Sequence, residues 1–159
     1  MRSYSDFKLA VRIRESSNDY ECVNKLGFLG AYQFGMARLC DLGLTRRSDP
    51  GSTGLKNSDF YFSAMTKEEF LSSPPTQDAC FDMHIHRLKF SCLKKYPMLK
   101  DGMLLTDGTL LDLSGAIMVC HLVGPGSLNL LIEGVDVADA MGTKASDYSK
   151  LFFGYEIPE

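Results

Sequence analysis

The chain has 159 residues, about the usual size of one domain, with 45% hydrophobic and 23% charged residues, so a single ordered domain is expected. A formal net charge of −3 and a pI of about 5.6 supply no global positive field, which argues against nucleic acid or an anionic membrane as a partner. No run reaches the ~18 apolar residues that would suggest a membrane span. The most apolar stretch, 110–123, is interrupted by Asp112 and His121 and reads as a buried helix.

The opening MRSYSDFKLAVRIRES carries charges at Asp6, Lys8, Arg12 and Arg14 where a secretory leader would be apolar, so export by the general route is not expected of the chain as it stands. Residues 6–15 place Phe7, Ala10, Val11 and Arg14 at helical spacing, with Ser5 or Asp6 as N-cap, and a first helix should end near Glu15. Ser16, Ser17, Asn18 and Asp19 then favour a turn. The glycine-punctuated NKLGFLGAYQFG reads as a small hairpin or as extended loops. A helix resumes over 34–42 and closes at Gly43. Residues 45–62, rich in Gly, Ser, Asp and Pro, should be an exposed loop.

Thr66 with Glu69 three residues on is a capping-box pattern for a short helix that Pro74 and Pro75 stop. A longer helix follows, with Ala79, Met83, Leu88, Cys92, Leu93 and Tyr96 available for apolar contacts before Pro97. Turn-like Asp-Gly pairs begin at Asp101 and Asp107, and an all-round apolar helix over 113–123 stops at Gly124-Pro125-Gly126. One more short helix is expected over 146–153, capped by Ser146 or Thr143. Five widely spaced cysteines without a C-x-x-C read as mostly buried thiols, a disulfide being allowed but not implied. The fold class is therefore α+β and mainly helical.

His84 and His86, two apart on a helix, point to different faces, so no metal site is expected there. The pairs Arg46-Arg47 and Lys94-Lys95 read as solvated faces. No nucleophile elbow, P-loop or dinucleotide fingerprint is present.

The informative stretch is RESSNDYECVNKLGFLGAYQFG, residues 14–35, in which a Glu-Ser pair closes a helix and a Gly-x-x-Gly-x-x-Gln run follows. It resembles the lytic transglycosylase signature of the lysozyme superfamily, with Glu15-Ser16 as the pair and Gly27, Gly30 and Gln33 as the run. VCHLVGPGSL, residues 119–128, is similar to that family's later Ala-Tyr-Asn-Ala-Gly-Pro-Gly type turn, with His121-Leu122 standing where the motif has Tyr-Asn. The closing DVADAMGTKASDYSKLF is similar to the end of phage-type peptidoglycan hydrolases, where an Asp and a Gly-Thr precede a short Tyr-containing helix.

The resemblance implies a lysozyme-like fold, with a small hairpin beside a groove for several sugars, and cleavage of the MurNAc-GlcNAc β-1,4 bond of peptidoglycan. It implies Glu15 as the catalytic acid, Ser16, Tyr32, Gln33, His121 and Tyr148 as substrate contacts, and no cofactor. The residue type suits the chemistry: the acid must still be protonated near neutral pH, and the last turn of a helix disfavours a carboxylate's ionised form. Of the nearby carboxylates, Asp19, Glu21 and Asp41, none matches the motif. A one-carboxylate mechanism is then implied, in which Glu15 protonates the glycosidic oxygen and next takes a proton from the muramic acid 6-hydroxyl, giving a 1,6-anhydro sugar. With water in place of that hydroxyl the same groups make a lysozyme.

Other roles remain open for several of these residues. Gln33 satisfies a turn backbone or touches substrate, Tyr32 is a core aromatic or a sugar platform, and His121 is a hydrogen-bonded core residue or a cleft residue. The alternative to an enzyme is a non-catalytic wall-binding or structural module of a phage tail or secretion apparatus. Lacking a leader, an enzyme of this kind would be made in the cytoplasm and reach the wall as a phage lysin or an injected antibacterial effector. An effector would call for an immunity or inhibitor protein as a further partner.

Overall fold

A computed structural model describes all of residues 1–159. The fold is α+β: seven α-helices, two short 3-10 turns and two two-stranded antiparallel sheets. Its contacts gather into two compact units, Leu9–His84 and a second made of Met1–Lys8 with Ile85–Glu159.

The Leu9–His84 unit begins inside helix α1, Tyr4–Ser16, which buries Val11. After Ser17 and Asn18, both left-handed at φ 57° and 64°, residues 19–35 form tight loops and not a regular hairpin. Isolated bridges pair Val23 with Leu29 and Leu29 with Phe34. Helix α2, Met36–Asp41, buries Met36 and Leu39 and ends before Gly43 at φ 85°. The segment expected to be an exposed loop instead closes into strands β1, Thr45–Arg47, and β2, Phe60–Phe62, with Thr45 opposite Phe62 and Arg47 opposite Phe60. Its polar composition describes the connection between the strands, whereas Thr45 and Phe60 turn inward. Thr66 accepts from the Glu69 amide at 3.1 Å and caps helix α3, Lys67–Leu71, as the capping box predicts.

Helix α4, Pro74–Lys95, starts in this unit. Here Gln77, Cys80, Phe81 and His84 are buried. Ala79 is exposed, and Met83 is 45% exposed, so the expected apolar face is misplaced by part of a turn. The cause is chemical: two polar side chains, Gln77 and His84, occupy inward positions that a reading of apolar residues alone passes over.

In the other unit the remainder of α4 buries Ile85, Leu88 and Cys92. Strands β3, Met103–Leu104, and β4, Leu110–Leu111, form a hairpin whose turn holds the Asp107-Gly108 pair, Gly108 at φ 80°. Helix α5, Leu113–Val123, is capped by Asp112, whose carboxylate accepts from the Gly115 amide at 2.9 Å, and it is buried from Ser114 to Cys120. Gly124 at φ 84° ends it, and Pro125 opens helix α6, Pro125–Ile132; the Gly-Pro-Gly segment is thus a joint between two helices rather than a terminal turn. Helix α7, Ala145–Leu151, follows Lys144, which makes no side-chain cap. Asp136 takes over that task from ten residues upstream, accepting from the Ser146 amide at 3.0 Å, so neither Ser146 nor Thr143 is the cap. The chain's beginning is stitched here too: Arg2 bonds through its amide to Gly154 O, through its carbonyl to the Glu156 amide, and through its guanidinium to the Tyr155 hydroxyl at 2.7 Å.

Candidate functional site

Glu15 lies in the last turn of α1, half-buried, and Ser16 ends the helix. The Ser16 hydroxyl donates to Ala31 O at 2.9 Å and accepts from the Asp19 amide at 3.0 Å. One side chain therefore closes the helix, starts the turn and pins residue 31 of the glycine segment against the helix end. Ser16 is a positioning group, and its hydroxyl's hydrogen-bonding capacity is directed inward.

The glycine segment is held from several sides. Gly27, Gly30 and Gln33 share positive φ, at 84°, 77° and 52°. Glycine adopts this region without a Cβ penalty; glutamine does so at a cost. Gln33 offsets part of that cost by donating from Nε2 to Gly30 O at 2.9 Å, leaving the half-buried side chain folded onto its own turn. Gly30 is needed for a second reason: a Cβ there would meet Gln77 Oε1 at 2.1 Å. Gln77 itself, fully buried, accepts from the Ala31 amide at 2.9 Å and donates to Tyr20 O at 2.9 Å and Phe70 O at 3.0 Å, so it ties the loop to α3 and α4.

Beneath the helix end sits a polar cluster that sequence reasoning missed. The hydroxyls of Tyr20 and Tyr32 both donate to Asp78 Oδ1, at 2.8 and 2.6 Å. Arg12 donates to the Tyr32 hydroxyl at 2.9 Å and to Asn18 Oδ1 at 2.8 Å, with the Asp78 carboxylate at 3.8 Å. Burial pushes the Tyr32 phenol well above its ordinary value, and its bond to Asp78 adds in the same direction. Tyr20 is raised for the same two reasons. Burial works against the Arg12 charge, but the Tyr32 hydroxyl and the Asp78 carboxylate outweigh it, and Arg12 is held above its ordinary value. The spacing carried a clue: Arg12 stands four residues before Ser16 and three before Glu15, so the three share neighbouring positions on one helix surface.

Tyr32 is not an open platform. It is completely buried, its ring stacked on Phe81 at a centroid distance of 4.1 Å and 10° between planes. A sugar would find no free face, and Tyr32 is a core aromatic with a hydrogen-bonded tip. Tyr148, expected as a substrate contact, is likewise buried at 2% exposure and packs on Phe152 at 5.1 Å. It belongs, with half-buried His121 in the last turn of α5, to the other unit. Glu15, Ser16, Tyr32 and Gln33 all belong to the Leu9–His84 unit.

The remaining carboxylates near the motif have local duties. Asp19 Oδ1 accepts from the Glu21 amide at 2.9 Å, and Asp41 pairs with Arg38 at 3.1 Å on an exposed turn. Asp139 accepts from the Met141 and Thr143 amides at 2.9 and 2.8 Å and so caps the turn containing Gly142. His84 is buried and His86 exposed, on different faces of α4.

The arrangement places Glu15 in the last turn of a helix whose final residue, Ser16, is bonded to the glycine turn at Ala31. No protein-family model, no curated protein and no solved structure matches the chain.

Proposed function

We propose that the chain cleaves the glycan strands of peptidoglycan, with Glu15 as general acid and base in a lysozyme-like fold. The observation that supports this most is the joining of the two halves of the motif. Ser16, next to Glu15, is bonded to Ala31 between Gly30 and Gln33, so the helix end that carries Glu15 is tied directly to the glycine run.

In this reading Glu15 donates its proton to the oxygen between MurNAc and GlcNAc as that bond breaks, and the resulting carboxylate then removes a proton from the attacking hydroxyl. Attack by the muramic acid 6-hydroxyl gives an anhydro product; attack by water gives a reducing end. Ser16, Gln77 and the Arg12–Tyr32–Asp78 cluster hold the helix end in place. Tyr32 and Tyr148 drop out as sugar contacts, while Gln33 and His121 retain some exposure.

The test is to incubate the chain with purified sacculi and identify released muropeptides by mass spectrometry. Anhydro and hydrated products differ by one water. Glu15→Gln should lose at least ~100-fold in release, the share expected of general acid catalysis alone. No release by the parent chain, or full release by the variant with an unchanged melting temperature, overturns the reading.

A further inference from the structure

Two of the five thiols lie against each other: Cys92 on α4 and Cys120 on α5 place their sulfur atoms 3.7 Å apart, 3% and 5% exposed, in the unit that does not contain Glu15. They are 28 positions apart in sequence, so the contact joins two helices across an intervening hairpin. A disulfide requires a separation of about 2.05 Å, which leaves less than 2 Å of travel to be shared between two side chains.

We propose that Cys92 and Cys120 are a reversible disulfide site that closes when the chain enters an oxidising thiol–disulfide pool, cross-linking α4 to α5. The oxidant is a small disulfide of the glutathione type. The Cys92 thiolate attacks one of its sulfurs, forming a mixed disulfide and releasing one thiolate, which takes up the proton Cys92 has lost. Cys120 then attacks the Cys92 sulfur and expels the second thiolate, which takes the Cys120 proton. Two protein thiols are oxidised, and one small disulfide is reduced to two thiols.

Cys120 can equally attack first, because either sulfur can donate in the contact between them, and the product is the same disulfide. Because both are enclosed, exchange proceeds through local opening and is slow, which separates this pair from half-buried Cys22 and Cys40. Buried Cys80 is a control, since burial alone raises its thiol.

The experiment uses the full chain carrying Cys22→Ser and Cys40→Ser, equilibrated in buffers from fully reduced to fully oxidised glutathione, acid-quenched, unfolded and alkylated. The expected oxidised product has lost about 2 Da, alkylates once, at Cys80, and yields a Cys92–Cys120 cross-linked peptide. Reductant should restore three alkylations. Closing the loop should raise the melting temperature by about 5–10 °C relative to the reduced form, a gain absent from Cys92→Ala and Cys120→Ala chains. Three alkylated thiols after equilibration with oxidised glutathione, a stable glutathione adduct at Cys92, or a cross-link involving Cys80 each overturns the proposal. Glu15 takes no part in this readout, so the proposal stands or falls apart from wall cleavage.

Discussion

Among single residues, Tyr32 has the most consequential position. Its ring is packed on Phe81, and its hydroxyl sits between Arg12 and Asp78. Tyr32→Phe keeps the ring and removes one acceptor for Arg12 and one donor for Asp78, a loss of about 1–2 kcal/mol that urea unfolding would measure. The same residue sets a pH dependence. Its phenol is raised in the fold, so the native state keeps a proton that the unfolded chain releases near the ordinary tyrosine value. That contribution is intact below about pH 10 and is lost as pH rises beyond it, because the unfolded state then binds fewer protons. Melting curves of the parent should fall from about pH 10 upward, and those of Tyr32→Phe should fall less steeply. An equal slope in both would remove Tyr32 from the account. On the proposed reading of Glu15, amide substitution of Asp19, Glu21, Asp41 or Asp139 should leave wall cleavage within a few-fold of the parent after correction for the folded fraction. Asp139→Asn should show its effect as a lowered melting temperature, through the two amides it caps. A folded amide variant as inactive as Glu15→Gln would replace the one-carboxylate mechanism by a two-carboxylate one.

At the scale of elements, the loop over 19–35 is anchored by side chains of other elements: Ser16 of α1 and Gln77 of α4 at Ala31, and Asn57 of the 3-10 turn Asn57–Asp59 at Leu26. Gln77 fills the space beside Gly30 that a side chain would need. Gly30→Ala must accommodate both a φ of 77° and a Cβ at 2.1 Å from Gln77 Oε1, so it should cost well over the ~1 kcal/mol that positive φ costs alone. Gln77→Ala strands the buried Ala31 amide and should cost about 2–3 kcal/mol. In the double variant the clash is gone, so the two costs should sum to more than is observed. A coupling of at least ~0.5 kcal/mol in the double-mutant cycle is expected, and strict additivity would show that the loop shifts as a body instead. Should Glu15 be catalytic, Gln77→Ala would also lower cleavage, since the loop beside the carboxylate would lose its anchor.

For the molecule as a whole, the division into two units falls inside α1 and α4, so the Leu9–His84 unit is one continuous stretch inserted into the other, which is made of two pieces of chain. The first eight residues belong with the last seventy-five, and Phe7 shows why: fully buried, it meets Phe152 and Tyr155 edge-on at 5.9 and 5.6 Å. Phe7→Ala should cost about 3–5 kcal/mol, the range for emptying an aromatic site in a packed core. Hydrogen exchange should then show loss of protection in α5 and α7 in particular, because Phe152 follows α7 and its carbonyl accepts from Ser114 in α5. Uniform loss across both units would mean that they unfold as one cooperative body.

What the sequence determines is whatever depends on near neighbours in the chain. The extent of α1, the Thr66 capping box, the Gly43 stop and the apolar α5 follow from periodicity, caps and left-handed glycines, each within a residue or two, except that α1 is capped by Ser3, which accepts from the Asp6 amide, and not by Ser5 or Asp6, which lie inside the helix. Glu15-Ser16 and the Gly27, Gly30, Gln33 run were legible in the same way, since their roles at a helix end and in turns are local. Pairings across distance needed the tertiary structure. Polar residues at 45–62 read as a loop because only strand pairing shows Thr45 facing inward opposite Phe62. The α4 face was misjudged because Gln77 is tolerable inside only once Ala31, Tyr20 and Phe70 arrive to satisfy it. Tyr32 and Tyr148 could equally have been surface aromatics. Burial depends on which rings pack against them, and Phe81 and Phe152 are brought there by the fold, not by the spacing of either tyrosine from the motif.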